Sequence, residues 1–316
     1  MFQNNNLIIK ISNGFGNQMF LYATSYAFSK KKKYNLLLDT KTGINSLKKI
    51  DDKKKFKHYQ PKFELDIFNL SANIADDRFC LYGLYGYIKK KIFIILDKFS
   101  QKKRIIKEIK DSSKKTTFNN SFLKNKFNHN VYIDGYFESE KYFNEYREDL
   151  LKEFTFKNKI NCNLKFLDLI NSSNAVSIAV RRDRYSEFES DNLNKVKIDK
   201  TLHFEKLQYN YINRSINFFK KEIKQPKFFL FSDNFDGLKD FFSETDDFVF
   251  VNSHLHNKTV EDFFLMYSCK HFIVAPTSFH WWSAWINNNH NKICVRPKDI
   301  NPSNNADFWP DSWISI

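Results

Sequence analysis

Glycine and proline are scarce in this chain, seven and six residues among 316. Where glycine does cluster, the cluster is informative, because glycine lets backbone approach a ligand closely. Two of the seven, Gly14 and Gly16, stand together in Ser12-Asn-Gly-Phe-Gly-Asn-Gln-Met-Phe20. That turn lacks the third glycine of a dinucleotide fingerprint and the Gly-Lys-Ser/Thr of a P-loop, so neither label applies. The four cysteines, Cys80, Cys162, Cys269 and Cys294, show no C-x-x-C spacing and fall in or beside apolar segments. They read as buried, reduced thiols, which fits a cytosolic compartment. No apolar run reaches the ~18 residues of a membrane span. The nearest approach, residues 79–99, is broken by Lys89, Lys90, Lys91 and Asp97. Residues 1–6 are polar, without the basic and then apolar pattern of a signal peptide, so a soluble chain is expected. There is no Asp-x-Asp pair, and the histidines show no ligand spacing beyond His254 and His256 in an irregular stretch. No metal is therefore expected. No RRM, KH or zinc signature is present, which argues against nucleic acid as the partner.

What the chain does have is 42% hydrophobic residues, 35 phenylalanines and a net charge of +15. The length gives two domains or one large one. The charge suits a phosphorylated substrate, an anionic membrane surface or nucleic acid. The lysine runs at 30–33, 53–55 and 89–91 each read as solvated faces; together they are compatible with peripheral contact with an anionic membrane.

Strands are expected at residues 7–11, 35–39 and 131–134 in the first half. They are expected at 175–180, 226–231, 248–251, 271–275 and 292–295 in the second. Helices are expected at 21–29, in an amphipathic stretch after residue 143 that ends near 154, and at 203–221, 235–242, 260–269 and 279–286, while residues 79–130 read as helices and loops. Strands alternating with helices make a parallel, doubly wound sheet. A linker falls near 156–163. Ligands of such sheets bind beyond the carboxyl ends of the strands. In the second half those ends carry Arg181-Arg-Asp-Arg184, Ser232-Asp-Asn234, Asn252-Ser-His254 and Thr277-Ser-Phe279. Arginine forks match phosphate oxygens, and hydroxyl N-caps at a helix start offer free amides and the positive dipole end. Asp233 can accept from a ribose hydroxyl or a purine N–H. The layout is that of a nucleotide diphosphate site. Taken singly, the arginines also read as a surface charge cluster, and Thr277 to Trp285 as an ordinarily capped tryptophan-rich core helix. Asn17 and Gln18 are expected at a helix start with amides free to hydrogen-bond.

Several motifs together resemble the bacterial glycosyltransferase family 11, the α-1,2-fucosyltransferases. Ser12-Asn-Gly-Phe-Gly-Asn-Gln-Met-Phe-Leu-Tyr-Ala23 resembles that family's N-terminal signature. Phe63-Glu-Leu-Asp-Ile-Phe68, Gly135-Tyr-Phe-Glu-Ser-Glu-Lys-Tyr-Phe143, Phe231-Ser-Asp233, Met266-Tyr-Ser-Cys-Lys-His271 and Pro276-Thr-Ser-Phe-His-Trp-Trp-Ser-Ala-Trp285 resemble its later stretches. The resemblance implies a GT-B fold, two Rossmann-like α/β domains facing a cleft. Residues 1–158 would form the acceptor-side domain, 159–298 the donor domain, and 299–316 a tail packing back on the first. It implies an inverting, metal-independent transfer of fucose from GDP-fucose to a sugar hydroxyl of a bacterial surface glycan, with no cofactor. Donor contacts would come from Gly14, Gly16, Asn17, Gln18, Arg181, Arg182, Asp233, Thr277, Ser278 and Phe279. Catalysis would rest on Arg181, Asn17 and Asp183, with Glu187 and Glu138 as further general-base candidates. One motif departs. The family's His-x-Arg-Arg-x-Asp reads Ala179-Val-Arg-Arg-Asp-Arg184 here. A different nucleotide sugar, or a non-catalytic glycan-binding relative, is the alternative that this departure raises.

Overall fold

The structure is a computed structural model that describes residues 5–56, 59–100, 102–108, 117–119, 121, 128–182, 185, 195–252 and 258–316. It divides into two compact units. The first comprises residues 1–55, 59–157 and 303–308; the second comprises 56–58, 158–302 and 309–316. Each is built on one parallel sheet, so the α/β, twice Rossmann-like composition of a GT-B protein is present.

The first unit carries β1 (Asn6–Lys10), α1 (Phe15–Lys32), β2 (Asn35–Asp39), α2 (Thr42–Lys54), β3 (Asn73–Ile74), α3 (Gly83–Phe99), β4 (Ile105–Lys107), β5 (Val131–Asp134) and α4 (Arg147–Glu153). Its sheet runs β3-β2-β1-β5-β4. β1 forms from an apolar run with no breaker, and its Leu7 and Ile9 are fully buried. Because β1 is flanked by β2 and β5, its outgoing loop opens at the centre of the sheet. That centre is tied by Asp39, whose carboxylate accepts from the Thr42 hydroxyl (2.5 Å), the Thr42 N–H (2.8 Å) and the Tyr132 hydroxyl (2.7 Å). Asp39 so caps α2 and joins β2 to β5. At Gly43 an added Cβ would lie 2.2 Å from the Ile11 carbonyl oxygen, so only glycine lets α2 sit this close to the end of β1.

The second unit carries α5 (Leu164–Asn171), β6 (Asn174–Val180), α6 (Lys195–Glu222), β7 (Pro226–Ser232), β8 (Phe248–Phe250), α7 (Lys258–Ser268), β9 (His271–Ile273), α8 (Ser278–Ile286), β10 (Cys294–Arg296) and β11 (Ile314–Ser315). Its sheet order is β8-β7-β6-β9-β10-β11. Counted within the sheet this is the Rossmann order 3-2-1-4-5-6, and its switch point lies between β6 and β9. Alternation along β6 decides what each face buries. Val176, Ile178 and Val180 join a core with Ile212 and Phe219 of α6. Ser177 and Ala179 face the other way, where Ser177 meets α8.

Trp281, Trp282 and Trp285 of α8 are all buried. Trp281 stacks on Trp285 at 5.9 Å and meets Trp313 at 5.5 Å. Burying such side chains stabilises the unit by roughly 2–3 kcal/mol each. Tyr211 anchors α6 beneath the sheet, its hydroxyl donating to the Val274 (3.1 Å) and Val295 (2.8 Å) carbonyls.

Some elements differ from expectation. α1 begins at Phe15, inside the glycine motif. The helix expected at 235–242 is only a short turn at Leu238–Asp240. The helices α2 and α5 and the edge strands β3, β4 and β11 have no counterpart among the expected elements. The tail divides, with Ser303–Phe308 in the first unit and Trp309–Ile316 in the second.

Candidate functional site

The switch point of the second sheet is where its polar strand ends gather. β6 pairs with β9 in the register Ile178 with Ile273. Arg181 and Pro276 therefore leave the two neighbouring strands at the same level. Thr277 then caps α8, its hydroxyl accepting the His280 N–H at 3.3 Å. Ser278 and Phe279 form the first turn of α8, at the positive end of its dipole. Thr277, Ser278 and Phe279 are all half-buried.

Asp233, at the end of β7, organises the arginines. One carboxylate oxygen accepts the Arg182 backbone N–H at 3.0 Å, and the other pairs with Arg181 Nε at 3.2 Å. Arg182 turns inward and donates from Nε to Glu205 at 3.0 Å. The side chain of Arg181 keeps 36% of its surface exposed, against 19% for Arg182. Arg181 can therefore meet a ligand, whereas Arg182 is held inside the protein. Glu205 and Gln208 come from one face of α6, three residues apart. Gln208 is fully buried. Its amide clamps the Arg181 backbone from both sides, accepting from its N–H and donating to its carbonyl, each at 3.1 Å. Neither residue was found from the sequence, where α6 shows only an apolar stripe.

His280 is the hidden member of the site. It is fully buried, and burial pushes its pKa down to about 3. Its Nδ1 accepts the Ala275 N–H at 3.1 Å, so the ring proton sits on Nε2 and donates to Ser177 Oγ at 2.9 Å. A neutral His280 thus locks the first turn of α8 to β6 and to the loop after β9. Ser177 and Ala179 share a face of β6, so the residue that departs from the family motif points to this same side.

In the first unit the loop after β1 differs from a glycine turn. The left-handed residue is Asn13, with φ 64°, and Gly14 is extended as the N-cap of α1. A Cβ at Gly14 would meet only the Tyr59 ring, at 3.8 Å, so neither conformation nor packing demands glycine there. Gly16 is buried within α1. Gln18 is a correction: its amide is not free. It donates to the Asn13 and Lys62 carbonyls, both at 2.8 Å, and accepts from the Glu64 N–H at 3.0 Å. It is fully buried and holds the loop in shape. Asn17 is half-buried one position earlier. The carboxyl of Glu64 accepts from the Phe15 N–H at the start of α1, and desolvation raises its pKa to about 7. Glu138 is buried in this unit. Asp183, Glu187, His254 and His256 lie outside the described residues. Among the described residues no group of three or more His, Cys, Asp or Glu side chains could hold a metal ion. Likewise no described helix is long and apolar enough to cross a membrane.

The family model of glycosyl transferase family 11 matches residues 87–315. The chain belongs to glycosyltransferase family 11. It is 28% identical over 322 residues to an α-1,2-colitosyltransferase of Escherichia coli, covering 98% of each chain. It is 24% identical over 323 residues to the O-antigen biosynthesis glycosyltransferase WbnK of Escherichia coli, covering 97% of this chain and 99% of that one. Among solved structures, the α-1,6-fucosyltransferase NodZ soaked with GDP-fucose overlays with a TM-score of 0.49 and 12% identity, covering 90% of this chain and 93% of that one. In this family 11 protein, Gln208→Ala should slacken the Arg181 backbone while leaving both arginine side chains in place. Turnover is expected to fall roughly tenfold with donor affinity less affected. Unchanged turnover in steady-state assays would confine Gln208 to stability.

Proposed function

We propose that the protein is an inverting, metal-independent glycosyltransferase that moves L-fucose from GDP-fucose to a hydroxyl of a bacterial surface glycan. The observation that carries this reading is the partly exposed Arg181 guanidinium, braced on Asp233 beside the N-terminus of α8 at the sheet's switch point. The donor's diphosphate would lie against Arg181 and the amides of Ser278 and Phe279, with Thr277 at its edge. Asp233 would meet the nucleoside. As the C1–O bond breaks, charge grows on the departing GDP, and these donors stabilise it without a metal. The acceptor hydroxyl attacks C1 from the opposite face, which inverts the centre. Asn17 and the uncrowded backbone at Gly14 would contact substrate on the first unit. Asp183 is proposed to take part in the proton transfer. Four buried, free cysteines support a cytoplasmic setting.

A second donor is favoured by one observation, the similarity to an α-1,2-colitosyltransferase. Colitose is fucose without one ring hydroxyl. A pocket that hydrogen-bonds that hydroxyl rejects the deoxy sugar strongly, whereas an apolar pocket rejects the hydroxylated sugar by only about a hundredfold. The test is a panel of GDP-fucose, GDP-colitose and UDP-sugars, read by thermal shift and by nucleotide release, with chelator and then with magnesium. Stabilisation and turnover with GDP-fucose support the first reading, and a clear preference for GDP-colitose the second. Response to uridine nucleotides alone, or dependence on magnesium, would overturn both.

A further inference from the structure

Helix α3 is built inside out. Its packed face carries Gly86, buried against Leu81, and Asp97, whose carboxylate pairs with Arg104 at 2.9 Å. Phe93 and Ile94 are half-buried on that side, but most of the helix's apolar residues are on the solvent face. Leu84 is 77% exposed, Ile88 and Ile92 49% each, Ile95 54% and Phe99 87%. At 3.6 residues per turn these five, with Tyr85 and Leu96, fall within an arc of about 120°. Lys91 and Lys98 border the arc on one side, and both are exposed. The Lys91 ammonium lies over the Tyr87 ring, 5.4 Å from its centroid, so its stem follows the apolar surface while its charge stays at the edge. Lys102 continues the basic border beyond the helix. The helix is too charged and too short to span a bilayer.

We propose that the exposed face of α3 is an interfacial membrane anchor that lays this protein on an anionic lipid surface. Three features meet here: an apolar stripe, exposed tyrosines Tyr85 and Tyr87, and lysines at the border. Charge selects the occupant. The one acidic residue of α3, Asp97, is buried, so the face presents positive charge alone. A second copy of the same face would set Lys91 and Lys98 against each other, whereas phosphate headgroups neutralise them. Each lysine near such a surface adds electrostatic attraction that salt screens. The inference stands apart from the transferase reading, because it concerns lipid binding by a helix that holds none of the proposed donor residues.

The experiment is flotation of the full chain with phosphatidylcholine vesicles, with and without phosphatidylglycerol, at low and high salt. The protein should float with the anionic vesicles, stay behind with the neutral ones, and release as salt rises. Ile88→Ser/Ile92→Ser and Lys91→Glu/Lys98→Glu should each lower the bound fraction by roughly tenfold. Both should keep the wild-type melting temperature and turnover with soluble substrates, since the altered side chains are exposed. Failure to float, or flotation indifferent to lipid charge, would overturn the proposal. So would an oligomer seen by light scattering that Ile88→Ser/Ile92→Ser dissociates, because the occupant would then be a second copy of the chain.

Discussion

Arg181→Ala is expected to lower kcat/KM by roughly 10²–10³ while the protein stays folded. The size follows from the task. A departing nucleotide diphosphate needs donors already aimed at it, and removing one such donor typically costs about 3–4 kcal/mol of transition-state stabilisation. Folding should survive because the partner is not stranded. Without Arg181, Asp233 still accepts from the backbone N–H of Arg182 (3.0 Å) and of Asn234 (3.1 Å). Arg181→Lys restores charge without the fork, so partial recovery is expected. Arg182 makes the contrasting control. Its removal would leave the Glu205 carboxylate, 11% exposed, without its ion pair, and should cost stability rather than turnover. The readouts are steady-state turnover, GDP affinity by calorimetry and melting temperature for each variant. Wild-type turnover with wild-type GDP affinity in Arg181→Ala would remove Arg181 from the donor site.

The two alternating halves were legible because apolar strands separated by periodic helices leave few other solutions. The register that puts Arg181 level with Pro276 was not legible, since only the paired strands set it. Short edge strands escaped for a related reason. Two-residue pieces such as Asn73–Ile74 carry no period of their own and form because β2 offers a partner. At the candidate site, the residues with an obvious chemistry are those that stand directly after strands, where the sequence can point to them. The residues that hold them in place have no such marker. Gln208, Glu205 and His280 lie inside helices whose patterns announce only a buried face, and a polar side chain on such a face has no sequence signature. The same blindness worked in reverse at Gln18, where a motif position that reads as a ligand contact is an internal clamp. The tryptophan helix has the buried aromatic body and the hydroxyl-capped start of an ordinary core helix, and its use as a phosphate site belongs to the proposal.

Glu64→Gln is expected to stabilise the protein at neutral and alkaline pH and to leave it nearly unchanged in mild acid. Glu64 is 8% exposed, and its carboxyl is raised from 4.5 to about 7, chiefly by desolvation, against the pull of Lys62 and the Phe15 N–H. A folded pKa above the unfolded value means that the native state holds its proton longer. The stability this contributes is full below 4.5 and falls away as pH rises toward 7, where the native state must bury a charge. Over that window the loss amounts to about 3 kcal/mol at most. Glutamine cannot ionise, yet its amide oxygen can still accept from the Phe15 N–H, so the start of α1 should keep its cap. His280 works in the opposite sense, because its pKa is lowered from 6.5 to about 3 and a buried neutral ring loses stability as pH falls below 6.5. Wild-type stability alone therefore mixes the two, and the difference between wild type and Glu64→Gln isolates the carboxyl. Urea unfolding of both proteins at about pH 4.5 and about pH 8 measures it. A gain for the variant at the higher pH that shrinks toward the lower is the expected result. An equal difference at both would mean that Glu64 titrates near its ordinary value and that α1 begins beside a charged carboxylate.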